Sequence, residues 1–283
     1  MHTLIEMRCT KAIFAICVLL LLPGNKTWAQ LGHLPPAPVL TKLVEDVEVE
    51  ISIRFWVDPN LISDRIPPEA NLLRVKDYGI PDSVIAPEFQ DWIDASLIFL
   101  SANVIDVGGI SQGTSDNTSE GFWWLQINEG EPAHDPRTRG NHQAIELSYW
   151  IADSVVVDHI NHKGGRAEFG EITTASLDNG WAFSFSTIDT EVKGNCRLYR
   201  EVSVEDYSLP AYSTVWLADP EASAFIVFTY QGHRTQRCTI EEISVSGESM
   251  LARSLRSSIQ IQNPFGVVMD GWEAKSGLYV RDP

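Results

Sequence analysis

The sequence predicts a mainly β (α+β) protein, a single domain whose antiparallel strands form a barrel-like or sandwich core with a few short helices. Residues 47–57 alternate strictly between apolar and other side chains, which is the period of a half-buried strand. One face carries Val47, Val49, Ile51, Ile53, Phe55 and Val57, and the other carries Glu48, Glu50, Ser52 and Arg54. Turn residues separate further strand-like runs at short intervals, and long helical periods are missing, which favours antiparallel sheets.

Further strands are expected wherever a short apolar or alternating run is bounded by turn residues. These runs comprise residues 96–107, 122–127, 144–151, 181–186, 212–218, 224–230, 238–245, 265–269 and 278–280. The run at 181–186 follows Asp178-Asn179-Gly180, and Asn-Gly favours a tight hairpin. The best helix candidate is 248–257, where one face carries Met250, Leu251, Ser254 and Leu255.

The first 29 residues are typical of a secretory signal peptide. Arg8 and Lys11 precede an apolar run at 12–22, and Thr27-Trp28-Ala29 supplies small residues before a cleavage site ahead of Gln30. An uncleaved anchor is the alternative, but the apolar run is much shorter than the about 20 residues that cross a bilayer. We therefore expect a secreted or extracytoplasmic protein with a signal peptide at 1–29, an extended linker at 30–46 and one β-rich domain at 47–283.

The chain is strongly acidic, with 21 basic and 38 acidic side chains, a formal net charge of −17 and a pI near 4.7. Removal of the signal, which holds more basic than acidic residues, makes the remainder more acidic still. A surface of this charge repels phosphate backbones and anionic membranes. We therefore expect no nucleic acid and no membrane as partner, and the same charge disfavours polymers of acidic sugars as substrates.

Two cysteines, Cys196 and Cys238, remain once Cys9 and Cys17 leave with the signal. A pair of cysteines in an exported chain most often forms one disulfide. A catalytic thiol is the alternative, although neither cysteine has an obvious histidine partner nearby in the sequence. We therefore predict a Cys196–Cys238 disulfide.

Two long polar segments, 111–121 and 129–142, are expected to be loops. The first contains Asn117-Thr118-Ser119, which is an N-glycosylation acceptor in a cell that has the machinery. Long loops inside compact domains are often functional.

A group of histidines raises the question of a metal site. These are His134, His142, His159 and His162. His159 and His162 have a spacing found in metal sites, and Glu168 or Glu171 would add a carboxylate. A strand, however, places residues three apart on opposite faces. The HExxH and clustered-cysteine patterns are absent, so we expect solvated histidines, no metal and no other cofactor.

Tandem tryptophans at Trp123 and Trp124 suggest another class of function. Aromatic faces stack on sugar rings, so these residues favour a carbohydrate-active or carbohydrate-binding secreted β-protein as one interpretation. In a strand-rich domain, however, most tryptophans fill or cover the core.

Lysine is scarce after the signal, where the chain has only Lys42, Lys76, Lys163, Lys193 and Lys275. An amine that is buried or next to another cation loses its proton more readily and attacks a carbonyl carbon to form a Schiff base. Lys163 lies between His162 and Arg166 in a glycine-rich turn, so a neighbouring cation is present. The alternative is an exposed lysine in a turn.

Residues 165–177, Gly-Arg-Ala-Glu-Phe-Gly-Glu-Ile-Thr-Thr-Ala-Ser-Leu, with Asn179-Gly180 after them, resemble the central motif of acetoacetate decarboxylase-like proteins. In that family a Gly-Arg-Glu-x-Trp-Gly segment runs into an aromatic-Pro-Lys-Lys sequence and then a hairpin. The resemblance spans roughly Glu48 to the C-terminus, although only the thirteen residues 165–177 form a specific motif. It implies a single strand-rich domain with a small-molecule pocket.

The departures from the family motif change the expected chemistry. The paired lysines of the family fall on Thr173 and Thr174, whose hydroxyls form no Schiff base. The resemblance therefore implies either that Lys163 supplies the amine or that the reaction uses acid–base groups. The candidate catalytic residues are Glu168 and Glu171 as acid and base, Arg166 to hold a carboxylate, and Lys163. The candidate substrate-binding residues are Phe169, His162, Trp123 and Trp124.

These observations together predict a secreted protein that binds a small molecule. The resemblance implies a lyase or related enzyme that acts on a keto acid or another carbonyl compound, in secondary metabolism. The alternatives are a carbohydrate-active or carbohydrate-binding protein and a non-catalytic ligand binder, because a fold alone does not determine a reaction. A homo-oligomer is compatible with the sequence.

Overall fold

The computed structural model describes residues 38–66, 70–112, 118–127, 141–199, 205–207, 211–217, 224–231, 233–261, 264–270 and 273–280. These residues all lie in one compact unit of the chain, Ala37–Pro283. The predicted signal peptide at 1–29 and the predicted glycosylation site at Asn117 lie outside the described residues. Within them the chain forms fifteen strands and two α-helices, which confirms the mainly β class.

The strands and helices are numbered here along the chain. The strands are β1 (Leu40–Val57), β2 (Ile93–Val107), β3 (Ile110–Gln112), β4 (Thr118–Gln126), β5 (Asn141–Ile151), β6 (Glu168–Phe169), β7 (Glu171–Leu177), β8 (Gly180–Ser186), β9 (Thr190–Leu198), β10 (Glu205–Tyr207), β11 (Ala211–Leu217), β12 (Ala224–Gln231), β13 (His233–Gly247), β14 (Phe265–Asp270) and β15 (Glu273–Val280). The helices are α1 (Ser154–His162) and α2 (Met250–Ile261). Every predicted strand overlaps an observed one, whereas β3, β6, β7, β9, β10 and α1 lie outside the predicted runs.

Seven of the described strands pair in a closed circuit, β1–β2–β4–β5–β11–β12–β15 and back to β1. Neighbours in the circuit are antiparallel except β5 and β11, which are parallel. A sheet that closes on itself is a barrel. The predicted barrel-like core is therefore present.

A branch of five strands leaves the barrel at β1, because two parts of β1 have different partners. Leu40–Val44 pairs with β15, whereas Glu50–Arg54 pairs with β14. From β14 the branch continues through β13, β9, β8 and β7. A single apolar cluster joins the branch and α2 to the β1–β2–β4–β5 wall, with members such as Ile51, Phe99 and Phe185. The branch therefore covers the outer face of the barrel.

The opposite face of the same wall carries a second apolar cluster. Its members come mainly from the barrel strands and α1, and they include Val44, Leu100, Phe122, Tyr149 and Ile160. Because the branch and α2 occupy the outer face, this second cluster lies inside the barrel.

Strand β1 corrects the sequence prediction in two respects. It begins at Leu40, so residues 40–45, the last part of the predicted linker but for Asp46, are paired in a sheet. The polar face of the predicted half-buried strand turns into the barrel, where Glu50 is only 8% exposed. Val47 also packs inside, because the pairing of β1 with β2 shifts register between Val47 and Val49.

Helix α1 is absent from the sequence prediction because its three consecutive valines, 155–157, favour a strand. Its ends nevertheless carry recognisable signals. The Asp153 carboxylate accepts hydrogen bonds from the first backbone N–H groups, and Gly164 follows the helix with a φ of 84°, as N-caps and C-terminal glycines do. Val156 and Ile160 are buried in the interior cluster.

Helix α2 begins two residues later and ends four residues later than the predicted 248–257. Leu251 and Leu255 are buried, as the predicted apolar face requires. Ser258 on the same helix accepts a hydrogen bond from the backbone N–H of Trp56 at 3.0 Å, which ties α2 to β1. Neither described helix has the length and the apolar character that crossing a membrane would need.

The branch is held together by the predicted disulfide. Cys196 on β9 and Cys238 on β13 are bonded and wholly buried in the outer cluster. The predicted hairpin is also present, since Leu177 of β7 pairs with Gly180 of β8. Gly180 is required there because a Cβ would overlap the Cys196 carbonyl oxygen, and its φ is 149°.

Candidate functional site

The wall of the barrel interior is built from rows of directly paired residues on β1, β2, β4 and β5. The first row is Glu50, Leu100, Glu120 and Ile151. The second row is Ser52, Ile98, Phe122 and Tyr149, and the third row is Arg54, Ser96, Trp124 and Glu146. Directly paired residues point to the same side of a sheet. These rows, called the inner face below, therefore present three glutamates to the interior.

Lys42 on β1 contacts the Glu120 carboxylate of the inner face. The two form an ion pair in which Glu120 has no exposed side-chain surface and Lys42 is 11% exposed. The Lys42 ammonium also donates to the Tyr149 hydroxyl oxygen at 3.2 Å, and that hydroxyl donates to Glu120 Oε1 at 2.7 Å. Burying charges is expensive unless they are paired and hydrogen-bonded, and this triangle satisfies both conditions.

Aromatic rings surround the Lys42 ammonium. The rings of Phe122 and Tyr149 are stacked with their centroids 4.8 Å apart. Lys42 Nζ lies 5.1 Å from the Phe122 centroid and 5.2 Å from the Tyr149 centroid. Ring faces attract cations, and a dry setting strengthens every electrostatic interaction within it. The cluster is therefore an amine and a carboxylate held in apolar surroundings.

Glu146 adds a second carboxyl group that interacts electrostatically with Lys42 and Glu120. It is 4% exposed, and Trp124 Nε1 donates a hydrogen bond to it at 3.3 Å. Burial raises the pKa of Glu146 to about 8, although the Trp124 hydrogen bond and the Lys42 charge act in the opposite direction. Glu146 therefore holds its proton near neutral pH, and it can act as a proton donor.

Burial raises the pKa of Tyr149 well above its ordinary value, and the neighbouring Glu120 carboxylate raises it further. Tyr149 is therefore a neutral hydroxyl that donates to Glu120 across the working pH range.

A bulge in β5 brings Glu146 and Tyr149 to the same side. Residues three apart in a regular strand point to opposite sides. Trp123 of β4 pairs with Ser148, yet the next residue, Trp124, pairs with Glu146, so Leu147 is an extra residue on β5. The bulge reverses the alternation once and turns both polar side chains inward.

Arg54 of the inner face has its charge matched within the protein. Its guanidinium forms an ion pair with Asp94, which is 2% exposed, and its Nε donates to the same carboxylate at 3.1 Å. The Tyr78 hydroxyl donates to Asp94 as well. In the adjoining part of the wall, Gln126 donates to the Ser96 hydroxyl at 3.1 Å.

The predicted catalytic residues Lys163 and Arg166 lie at and just beyond the C-terminal end of α1, next to His162. All three side chains are exposed. Lys163 caps the helix with its backbone N–H. Lys163 is therefore in contact with solvent, whereas the side chain of Lys42 is only 11% exposed.

The predicted acid–base residues Glu168 and Glu171 are exposed on β6 and β7. Glu168 accepts a hydrogen bond from Trp150 Nε1 at 3.2 Å, and Glu171 accepts one from the Ser186 hydroxyl at 3.4 Å. Phe169 between them is 51% exposed. These groups therefore differ from the inner-face carboxyls in that solvent reaches all of them.

The tandem tryptophans lie on opposite sides of the barrel wall. Trp123 is 1% exposed in the outer cluster, where it stacks on Phe55 with centroids 6.5 Å apart. Trp124 faces inward and packs on Phe122 with centroids 5.3 Å apart. A sugar platform needs exposed ring faces on one side, because a buried ring has no face for a ligand. The alternation of a strand explains the division.

In the part of the chain that the structure describes, no group of three or more His, Cys, Asp or Glu side chains is placed to hold a metal ion. His134 and the side chain of His142 lie outside that part.

The buried cluster is not evident from the sequence, because each of its residues falls in a segment with a different predicted structure. Lys42 falls in the predicted linker, and Glu120 falls in the predicted loop at 111–121. Glu146 lies in the predicted strand 144–151, on the face that does not carry the apolar Ile145. The scarcity of lysine is the one signal that singles out Lys42 among a few candidates.

Comparison with known proteins gives structural neighbours alone, since no family model and no curated protein matches the chain. One neighbour is acetoacetate decarboxylase from Legionella pneumophila subsp. pneumophila str. Philadelphia 1, at 10% identity and a TM-score of 0.48, over 88% of this chain and 89% of that one. Another is an acetoacetate decarboxylase-like enzyme from Sphingomonas wittichii RW1, at 10% identity and 0.45, over 86% and 92%. A third is the enduracididine biosynthesis enzyme MppR complexed with pyruvate, at 12% identity and 0.43, over 87% and 91%. The first two neighbours carry the name of the family that residues 165–177 resemble.

Proposed function

We propose that the chain is an enzyme that acts on a small carbonyl compound inside the barrel, with the Lys42 amine as its nucleophile. The observation that carries this proposal is the buried triangle of Lys42, Glu120 and Tyr149. Well-packed apolar residues commonly stabilise a fold as well as a buried ion pair does, so stability alone does not require such a pair. Buried ionisable groups with matched partners are, by contrast, common at catalytic sites.

The contacts of Lys42 suit imine formation. Glu120 takes a proton from the Lys42 ammonium, and the free amine attacks the carbonyl carbon of the substrate. The new C–N bond forms as the C=O π electrons move to oxygen, and Glu146 donates a proton to that oxygen. Loss of water then gives a protonated imine, and the Tyr149 hydroxyl remains a hydrogen-bond donor beside Glu120.

A keto acid is the substrate class that this chemistry serves best. In a β-keto acid the electrons of the C–C bond to the carboxylate move toward the imine nitrogen, and CO₂ leaves. The resulting enamine takes up a proton, and water hydrolyses the imine to release a ketone and Lys42. The overall reaction is that of a carbon–carbon lyase.

Reductive trapping tests this proposal. Borohydride treatment in the presence of acetoacetate or pyruvate should add the mass of the reduced adduct to the peptide that contains Lys42. Lys42→Met should abolish the adduct, and Lys163→Met, at an exposed lysine, should retain it. An adduct at Lys163, or no adduct with any ketone or keto acid tried, would refute the role of Lys42. The Lys42→Met/Glu120→Gln double variant, whose interior carries no unpaired charge at this point, shows whether loss of the adduct reflects loss of the fold.

We propose further that the protein is exported and that cleavage removes residues 1–29. The Cys196–Cys238 disulfide supports this, because disulfides persist in oxidising compartments. N-terminal sequencing of protein recovered outside the cytoplasm should begin at Gln30. A protein that retains Met1 in the cytoplasm would contradict the proposal.

A further inference from the structure

Glu50 is a buried carboxyl group of the inner face that the chemistry above does not use. Its side chain lies on β1 with 8% of the residue exposed. Among the described residues, no group donates a hydrogen bond to it or forms an ion pair with it. Burial alone raises the pKa of Glu50 to about 8. An unpartnered carboxyl inside a barrel is unfavourable for folding, so a ligand that satisfies it would remove that penalty.

The position of Glu50 relates it to the Lys42 cluster. Glu50 pairs with Leu100 and Leu100 pairs with Glu120, so the two glutamates lie in one row with a single strand between them. Strands in a sheet are about 4.8 Å apart, which places the two backbones roughly 10 Å from each other. A small molecule can therefore extend from Glu50 to the amine that contacts Glu120.

The charges of the inner face indicate what such a molecule carries. Lys42 is engaged by Glu120 and Tyr149, and Arg54 is engaged by Asp94. Among the described residues, Glu50 has no cationic partner, and the one cation that interacts with Glu146 is Lys42, which Glu120 already engages. A positively charged nitrogen is the group that this excess of carboxyls favours, since a cation stabilises the ionised form of a buried carboxyl.

We infer that Glu50 determines specificity by pairing with a cationic nitrogen of the substrate, an ammonium or a guanidinium, while the carbonyl carbon of the same molecule reaches Lys42. This inference rests on the proposed function only for the carbonyl end of the substrate, which reacts with Lys42. The substrate class is thereby narrowed from carbonyl compounds in general to those with a cationic group a few bonds away.

A matched pair of probes without a reactive ketone isolates the Glu50 end. Butylguanidinium and butylurea have nearly the same shape and differ in charge. Calorimetric titration of the wild-type protein should show tighter binding of butylguanidinium by about ten-fold or more, the value of one charged hydrogen bond. Glu50→Gln should remove the difference, whereas Glu45→Gln, which removes a carboxylate at an exposed position of the same strand, should keep it.

Equal binding of the two probes by the wild type would overturn the inference, as would a guanidinium preference that survives in Glu50→Gln. Amide shifts in the NMR spectrum that spare Glu50, Leu100 and Glu120 would also overturn it, and this measurement needs no variant. Reductive trapping and the probe titration, both on the wild-type protein, separate the two proposals. Trapping at Lys42 without a charge preference refutes the role of Glu50 alone, and a charge preference without trapping refutes the role of Lys42 alone.

Discussion

Lys42 and Glu120 are 78 residues apart in the chain, and they form an ion pair inside the barrel in which the carboxylate is wholly buried. Tyr149 contacts both partners. Among the described residues, neither charge forms a second salt bridge, so each depends mainly on the other for its stability in the interior. This mutual dependence can be measured.

Removing one partner of this pair should destabilise the protein strongly. Lys42→Met leaves Glu120 as an uncompensated buried charge, and Glu120→Gln does the same to Lys42. Each should lower the free energy of unfolding by about 3–5 kcal/mol, and the double variant should recover most of the loss. Guanidinium chloride unfolding measures all three. Lys76→Met at the exposed Lys76–Asp91 pair is the control and should change little. A double variant as unstable as the sum of the singles would show that the pair is not coupled.

The stability of the protein should fall as the pH rises, because of Glu50 and Glu146. Burial raises the pKa of both from 4.5 to about 8 in the folded protein, so folding favours their protonated forms. That contribution is complete below pH 4.5 and is lost between about pH 4.5 and 8. The loss is about 5 kcal/mol for each group. Glu50→Gln should flatten the decline in unfolding free energy measured by denaturant titration at pH 5, 7 and 9. An unchanged decline, matching that of Glu45→Gln, would contradict the assignment.

Gly180 should tolerate no side chain. A Cβ at this position would overlap the backbone carbonyl of Cys196, and the φ of 149° is one that other residues rarely adopt. Gly79 has a φ of 65° but nothing within 4 Å of an added Cβ. Gly180→Ala should therefore destabilise by about 2 kcal/mol more than Gly79→Ala. Thermal unfolding of both variants makes the comparison, and equal losses would mean that conformation alone, without the close approach, limits position 180.

The disulfide should contribute substantially to stability. It joins residues 42 apart in sequence, and the chain-entropy model gives about 4 kcal/mol for a loop of that length. The free energy of unfolding of the Cys196→Ser/Cys238→Ser double variant, measured by denaturant titration, should be lower than that of the wild type by about this amount. Adding a reductant should destabilise the wild type and leave the variant unchanged. A variant as stable as the wild type would show that the buried packing of β9 on β13 suffices.

The strand pattern was predictable because alternation and turn residues are local signals. Residues 47–57 and 181–186 carry their period in a few neighbouring positions, and Asn179-Gly180 marks the hairpin between β7 and β8. The valines at 155–157 show the limit of such signals, since helix α1 forms there on the strength of its caps and its packing against the barrel interior.

The buried cluster could not be predicted, because it depends on relations that no local pattern contains. Alternation assigns Glu146 and Tyr149 to opposite sides, and only the extra residue at Leu147 brings them together. Alternation alone places Glu50 on the polar face of β1, which would be solvated in an open sheet. The closure of the sheet into a barrel turns that face inward. The positions proposed from the family resemblance, such as Lys163 and Glu168, are exposed, and the amine in apolar surroundings is Lys42.

The pairing of β1 with β15 has a consequence for how the protein reaches its native state. These strands span residues 40–57 and 273–280, so the last contact that closes the barrel joins segments more than two hundred residues apart. Contacts between such distant segments form slowly, because the intervening chain must first lose much of its freedom. A chain that emerges in order from its N-terminus keeps the carboxyl-rich side of β1 in water until β15 arrives. Lys42, Glu50 and Glu120 therefore remain hydrated for most of assembly, and their dehydration is a late event.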